Sequence, residues 1–105
     1  MYLRVLNFKF PNELAKKSVI ALTRNTTKDH FKNGLLMRLH ADVSQNISVA
    51  VLLWRSKKDF EEAYKVFGSK FIADMKELGT IVTTNEGPAE VDKAKEIDYS
   101  KFNEL

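Results

Sequence analysis

A chain of 105 residues and 12.1 kDa has room for one domain and not two, since an independent core takes roughly 100–150 residues. With 44% hydrophobic and 30% charged residues, and only 4 Gly and 2 Pro, the composition excludes a disordered or collagen-like chain. The absence of cysteine excludes a disulfide scaffold, a zinc–thiolate or iron–sulfur site and a thiol nucleophile. The net charge of +3 is dispersed: residues 1–89 carry 14 Lys/Arg against 9 Asp/Glu, and residues 90–105 carry 3 against 5. No basic run exceeds two residues and no aromatic interleaving accompanies the basic positions, so nucleic acid is not an expected partner. No window approaches eighteen consecutive apolar residues, so a membrane is not expected either, and the expected location is cytoplasmic.

Tyr2 to Phe10 is rich in β-formers, with Tyr2, Arg4, Leu6, Phe8 and Phe10 on one face and Leu3, Val5, Asn7 and Lys9 on the other. Apolar residues on both faces predict a central strand. Pro11 stops the ladder and opens a helix of about 12 residues, in which Leu14, Ala15, Ser18, Val19 and Leu22 recur at helical spacing. That helix is expected to weaken at Thr23–Thr27, with a short second turn over Lys28–Lys32 closed by Asn33-Gly34. On this reading His30 is a loop histidine.

Leu35 to Asp42 alternates as a strand, with Leu35, Met37, Leu39 and Ala41 on a core face and Leu36, Arg38, His40 and Asp42 on a polar one. A turn at Val43–Asn46 leads into the nearly continuous apolar run Ile47 to Trp54, predicting a hairpin with a buried second strand. Whether Arg38 and His40 share a face with Trp54 depends on the hairpin register, which the sequence leaves open. Ser56 and Asp59 have capping-box spacing ahead of a helix of about 21 residues, carried by Phe60, Ala63, Tyr64, Phe67, Phe71, Met75 and Leu78 and interrupted by Gly68. Thr80 to Asn85 is the last strand, ended by Glu86-Gly87-Pro88.

The order β-α-β-β-α-β predicts an α+β, ferredoxin-like domain over residues 1–87, with a four-stranded antiparallel sheet of order 4-1-3-2 and both helices on one face. Residues 88–105 form a charged tail, with Ile97, Tyr99, Phe102 and Leu105 as apolar anchors expected to dock on the same or a partner subunit. Strands apolar on both faces need a second cover, and the same face of another copy is the simplest one, so a homodimer closing into an α+β barrel is expected.

The stretch Val49 to Phe60 (VAVLLWRSKKDF) resembles the dimeric α+β barrel superfamily. More narrowly it is similar to the antibiotic-biosynthesis-monooxygenase-like group, whose third strand ends in a Trp followed by a Ser/Glu-capped helix. Gly34-Leu35-Leu36 resembles that group's Gly-led second strand. The resemblance covers residues 1–87 and implies fold more than activity. Members include cofactor-independent monooxygenases acting on polycyclic aromatics, haem-degrading enzymes and isomerases. Asn7 and Trp54 fall where the haem-degrading members place an Asn and a Trp, but Ser56–Leu78 contains no His to ligate iron, so neither haem, another cofactor nor a metal is expected.

The candidate catalytic residues are therefore Asn7, Trp54 and His40. Asn7 reads either as a satisfied structural amide or as a group that orients a ligand or activates oxygen. His40, with Arg38 and Asp42 at two-residue spacing, reads as an acid–base or anion-binding group, or as the solvated face of an edge strand. Arg38, Phe60, Tyr64, Phe67, Phe71 and Leu22 are the candidate ligand-binding residues, lining an apolar cleft between sheet and helices. The function expected is binding of a small apolar molecule, with a carboxylic acid among the candidates. The binding would serve either cofactor-independent oxygenation or isomerisation, or plain sequestration of a fatty-acid-like ligand.

Overall fold

The computed structural model describes residues 1–95; the tail anchors Ile97, Tyr99, Phe102 and Leu105 lie outside the described residues. In chain order the elements are β1 (Tyr2–Lys9), α1 (Glu13–Lys32), β2 (Leu35–Ser44), β3 (Ile47–Trp54), α2 (Lys57–Ala63), a π-helical turn (Tyr64–Gly68), α3 (Ser69–Glu77) and β4 (Ile81–Pro88). The strands form one antiparallel sheet of order β2-β3-β1-β4. This is the expected ferredoxin-like order read from the other edge.

Three elements depart from the sequence expectation, each for a local reason. First, α1 runs unbroken for 20 residues. Asn12 rather than Pro11 starts it, its side-chain oxygen accepting from the Ala15 N–H at 2.8 Å. It passes through the threonine cluster, where Thr23, Thr26 and Thr27 donate their hydroxyls back to the carbonyls of Ile20, Leu22 and Thr23 at 2.6–2.8 Å and so stay satisfied inside the helix. Second, the long helix after β3 contains a π turn at Tyr64–Gly68. A side chain at 68 would collide with the Tyr64 ring, so only glycine lets that ring fold back along the helix. Third, β4 continues through Glu86, Gly87 and Pro88 because all three pair with Arg4, Leu3 and Tyr2 of β1.

The hairpin register is set by an irregularity at its start. Leu35 pairs with Trp54, and the pairing shifts before Met37 pairs with Leu53 and Arg38 with Leu52. One extra residue on β2 therefore puts both Leu35 and Arg38 on the face of Trp54. The expected core face of β2 is reversed beyond that point: Arg38, His40 and Asp42 lie on the helix side, while Met37, Leu39 and Ala41 lie on the other, with Leu39 58% exposed.

The helix side of the sheet holds the core. One cluster joins Leu6, Phe8, Phe10, Val19, Ala50 and Met75; a second joins Tyr2, Leu35, Trp54, Phe60 and Ala63. The opposite side carries Leu39, Val43, Ile47 and Ile81, all exposed. It has no helix over it among the described residues.

Gly34 ends α1's exit turn at φ +102°, and a Cβ there would sit 2.7 Å from the Cβ and Cγ of Asp59. Asp59 is held in place by Arg55 Nε at 2.9 Å and by the Ser56 hydroxyl at 3.0 Å. Gly34→Ala is expected to cost about 1–3 kcal/mol from backbone conformation alone, read as a lower urea midpoint with an unchanged m-value.

Candidate functional site

A cleft lies between the sheet and the helices, built on the alternate residues of β1 and β3 that face α1. Its floor is Arg4, Leu6 and Phe8 of β1, Ala50, Leu52 and Trp54 of β3, and Arg38 of β2. Its roof is Thr23, Thr26, Thr27 and His30 of α1 with Phe60, Tyr64, Phe67, Gly68 and Phe71 from the second helical stretch. The enclosed space is about 70 Å³, smaller than the ~150 Å³ cavity that takes up one benzene.

Aromatic rings form one end. Trp54, 2% exposed at the end of β3, meets His30 at 5.1 Å and Phe60 at 5.9 Å between ring centres, both edge to face. His30 also meets Phe67 at 5.5 Å. Phe60 stacks on Tyr2 at 5.6 Å. These spacings are those of favourable aromatic pairs. His30 reaches this position because α1 continues past the threonines, which corrects its reading as a loop residue.

Cations form the other feature. The Arg4 guanidinium lies 4.9 Å from the Phe60 ring centre and 5.2 Å from that of Tyr64, within cation–π range. Arg38 donates through Nη2 to the Thr23 hydroxyl oxygen at 3.1 Å. Among the described residues neither arginine has a carboxylate within ion-pair distance. Burial holds both guanidinium groups below their usual pKa, against the opposing pull of Glu86 at Arg4 and with Arg24 adding to the effect at Arg38. Burial likewise holds the His30 imidazole below the ordinary histidine range, against the opposing pull of Asp29, so the ring is neutral at pH 7.

Arg4 Nε, His30 Nδ1 and Trp54 Nε1 are all buried and lack a hydrogen-bond partner among the described residues. All three residues line this cleft. A buried polar atom without a partner costs about 1–3 kcal/mol. Three of the five such atoms among the described residues meet at this cleft, which makes it the candidate site. The threonine hydroxyls do not offset that cost, because their protons are committed to helix carbonyls. Chemically the cleft offers aromatic walls, two cations, an indole N–H and a neutral imidazole able to accept a proton.

Of the residues expected from sequence, Trp54, Arg38, Phe60, Tyr64, Phe67 and Phe71 come together here. Three do not. Asn7 pairs with Val49 and Thr83 on the opposite, helix-free face, because strand alternation sends Leu6 and Phe8 inward and Asn7 outward. His40 is on the correct face but one position further along, where it meets Asp42 at 3.7 Å. Asp42 is in turn bound by Ser48 at 2.8 Å and Lys16 at 3.3 Å. Leu22 packs against the Leu6–Phe8 core instead of lining the cleft. Sequence reading missed Arg4 and His30. Arg4 had a legible signal, as the one charge in the apolar row Tyr2, Leu6, Phe8; His30 had none, since its place depends on α1's full length.

No protein-family model and no curated protein matches the chain. Solved structures do match in fold. A dimeric ferredoxin-like protein from an uncultured marine organism superposes with a TM-score of 0.71 at 14% identity, over 90% of this chain and 100% of that one. A Deinococcus radiodurans structure assigned provisionally as an antibiotic biosynthesis monooxygenase gives 0.73 at 16% identity, over 92% and 98%. SnoaB, a cofactor-independent oxygenase from Streptomyces nogalater, gives 0.70 at 15%, over 90% and 97%. The chain thus shares the fold of dimeric ferredoxin-like proteins and of antibiotic-biosynthesis-monooxygenase structures along nearly its whole described length.

Proposed function

We propose that this chain acts as a homodimer in which each protomer holds a flat, largely apolar molecule in the cleft between sheet and helices, for oxygenation or isomerisation without a cofactor. The observation that carries the reading is the convergence of three partnerless buried nitrogens, on Arg4, His30 and Trp54, at one aromatic-walled cleft. The fold it shares with a cofactor-independent oxygenase supports the same class of chemistry. In such chemistry the deprotonated substrate itself reacts with oxygen, and the protein contributes desolvation, orientation and proton transfer. On this reading neutral His30 takes the proton. On the same reading Trp54 Nε1–H, buried and without a partner among the described residues, holds a substrate oxygen.

The space of about 70 Å³ admits a multi-ring substrate only if the roof moves. Tyr64, 38% exposed on the π turn, is the side chain positioned to swing out. The test is aerobic incubation with anthrone, a polycyclic with an acidic methylene, following the anthraquinone absorbance. Turnover by the wild type that falls at least tenfold in Trp54→Phe is expected. Binding without turnover in every variant would favour the non-catalytic binder, and neither binding nor turnover would overturn the reading.

A further inference from the structure

Arg4 and Arg38 stand in one row across the sheet. Each is the cross-strand partner of Leu52, Arg4 from β1 and Arg38 from β2, so their backbones lie two strand spacings apart, about 9–10 Å. Both are on the helix side and both line the same cleft. Among the described residues the Arg4 side chain donates no hydrogen bond and the Arg38 side chain donates one, to Thr23. The next residue along the row is Glu86 of β4, the partner of Arg4. Its carboxylate accepts the Tyr2 hydroxyl at 2.6 Å and forms no ion pair with Arg4. Among the described residues the two guanidinium groups thus flank an apolar floor with no carboxylate in ion-pair contact, Glu86 acting on Arg4 only from beyond that distance, an arrangement that is unfavourable when nothing is bound.

We infer that the ligand supplies the missing charge: the cleft selects a planar aromatic anion, its oxyanion gripped between Arg4 and Arg38 and its ring against Trp54, Phe60 and Phe67. Guanidinium groups suit this role because each presents a fork of donors matched to a carboxylate or an enolate-type oxygen pair. The surrounding rings favour a flat ligand over an alkyl chain, and Trp54 Nε1, buried and partnerless, adds a third donor. The inference rests on the cleft being the binding site, and it narrows the occupant from apolar molecules in general to aromatic anions.

Isothermal titration with 2-naphthoate, its neutral isostere 2-naphthamide and the aliphatic anion decanoate tests it. Naphthoate is expected to bind at least tenfold more tightly than the other two. Arg4→Met and Arg38→Met, which keep the apolar stem, are each expected to erase the preference over naphthamide while leaving naphthamide affinity little changed and the thermal melt of the empty protein unlowered. Equal affinity for naphthoate and naphthamide, or a charge preference that survives both substitutions, would overturn the clamp and leave the cleft standing. Equal affinity for decanoate would overturn the aromatic selection. No binding of any probe, with a normal melt, would overturn the cleft reading and the clamp with it.

Discussion

A variant carrying Leu39→Asp and Val51→Asp is expected to sediment as a folded monomer under conditions where the wild type sediments as a dimer. The two positions are cross-strand neighbours, and with Val5, the other partner of Val51, they form an apolar row across three strands on the helix-free face. Leu39, Val43 and Ile81 on that face are about 60% exposed. Pairing two such faces at about 800 Å² per partner is worth a gross term on the order of 20 kcal/mol per partner, against an association cost of roughly 4–15 kcal/mol. In a two-fold interface each substitution is present twice, so the variant places four carboxylates in an apolar contact, each with a desolvation penalty of several kcal/mol. A dissociation constant raised by roughly a thousandfold or more is the expected reading from sedimentation equilibrium. A wild type already monomeric at micromolar concentration, or a variant that remains dimeric, would sink the dimer.

The same face gives Asn7 a different part from the one its strand position suggested. It sits between Val49 and Thr83 in the row next to Leu39–Val51–Val5, too far round the strand to touch anything bound at Trp54. In a dimer paired through this face, Asn7, with Thr83 beside it and Asn85 one row on, would restrict the alignments that the two copies can adopt, as a buried polar residue does in coiled coils. Sequence alternation already contained this, because Asn7 falls with Leu3 and Val5 and not with Leu6 and Phe8; the resemblance to Asn-bearing relatives was what drew it toward the site. For Arg38 the opposite holds. Its face was undecidable from sequence because one extra residue between Leu35 and Met37 switches the parity of the strand, and such an irregularity leaves no compositional mark. Element order, sheet order and the aromatic lining from Phe60 to Phe71 were legible because each rests on a repeating spacing. His30 was not, since α1 crosses four β-branched or short polar residues that argue against helix and whose threonine hydroxyls bond to its own backbone.

His30→Phe is the substitution expected to separate function from stability most sharply. Phenylalanine keeps a flat ring between Trp54 and Phe67, which meet His30 at 5.1 and 5.5 Å, and it removes a buried nitrogen that has no partner among the described residues. Loss of the proton acceptor is expected to cut turnover by about 10²–10⁴-fold, the usual range for a general base. Loss of the partnerless atom is expected to raise stability by about 1 kcal/mol at neutral pH. The pH dependence supplies an independent readout. Burial lowers the folded-state pKa of His30 below its ordinary value of 6.5, so just below pH 6.5 the unfolded chain binds the proton and the folded chain does not. Stability linked to His30 is therefore fully present above pH 6.5 and is lost as the pH falls through the folded-state pKa. His40, shifted in the same direction chiefly by burial, keeps its share in the variant. The stability advantage of His30→Phe over the wild type is thus expected to grow between pH 8 and pH 5 in urea titrations, while turnover stays low at every pH. An advantage that is constant across that range would show that His30 is protonated alike in folded and unfolded chains, and would remove it as the neutral base of the cleft.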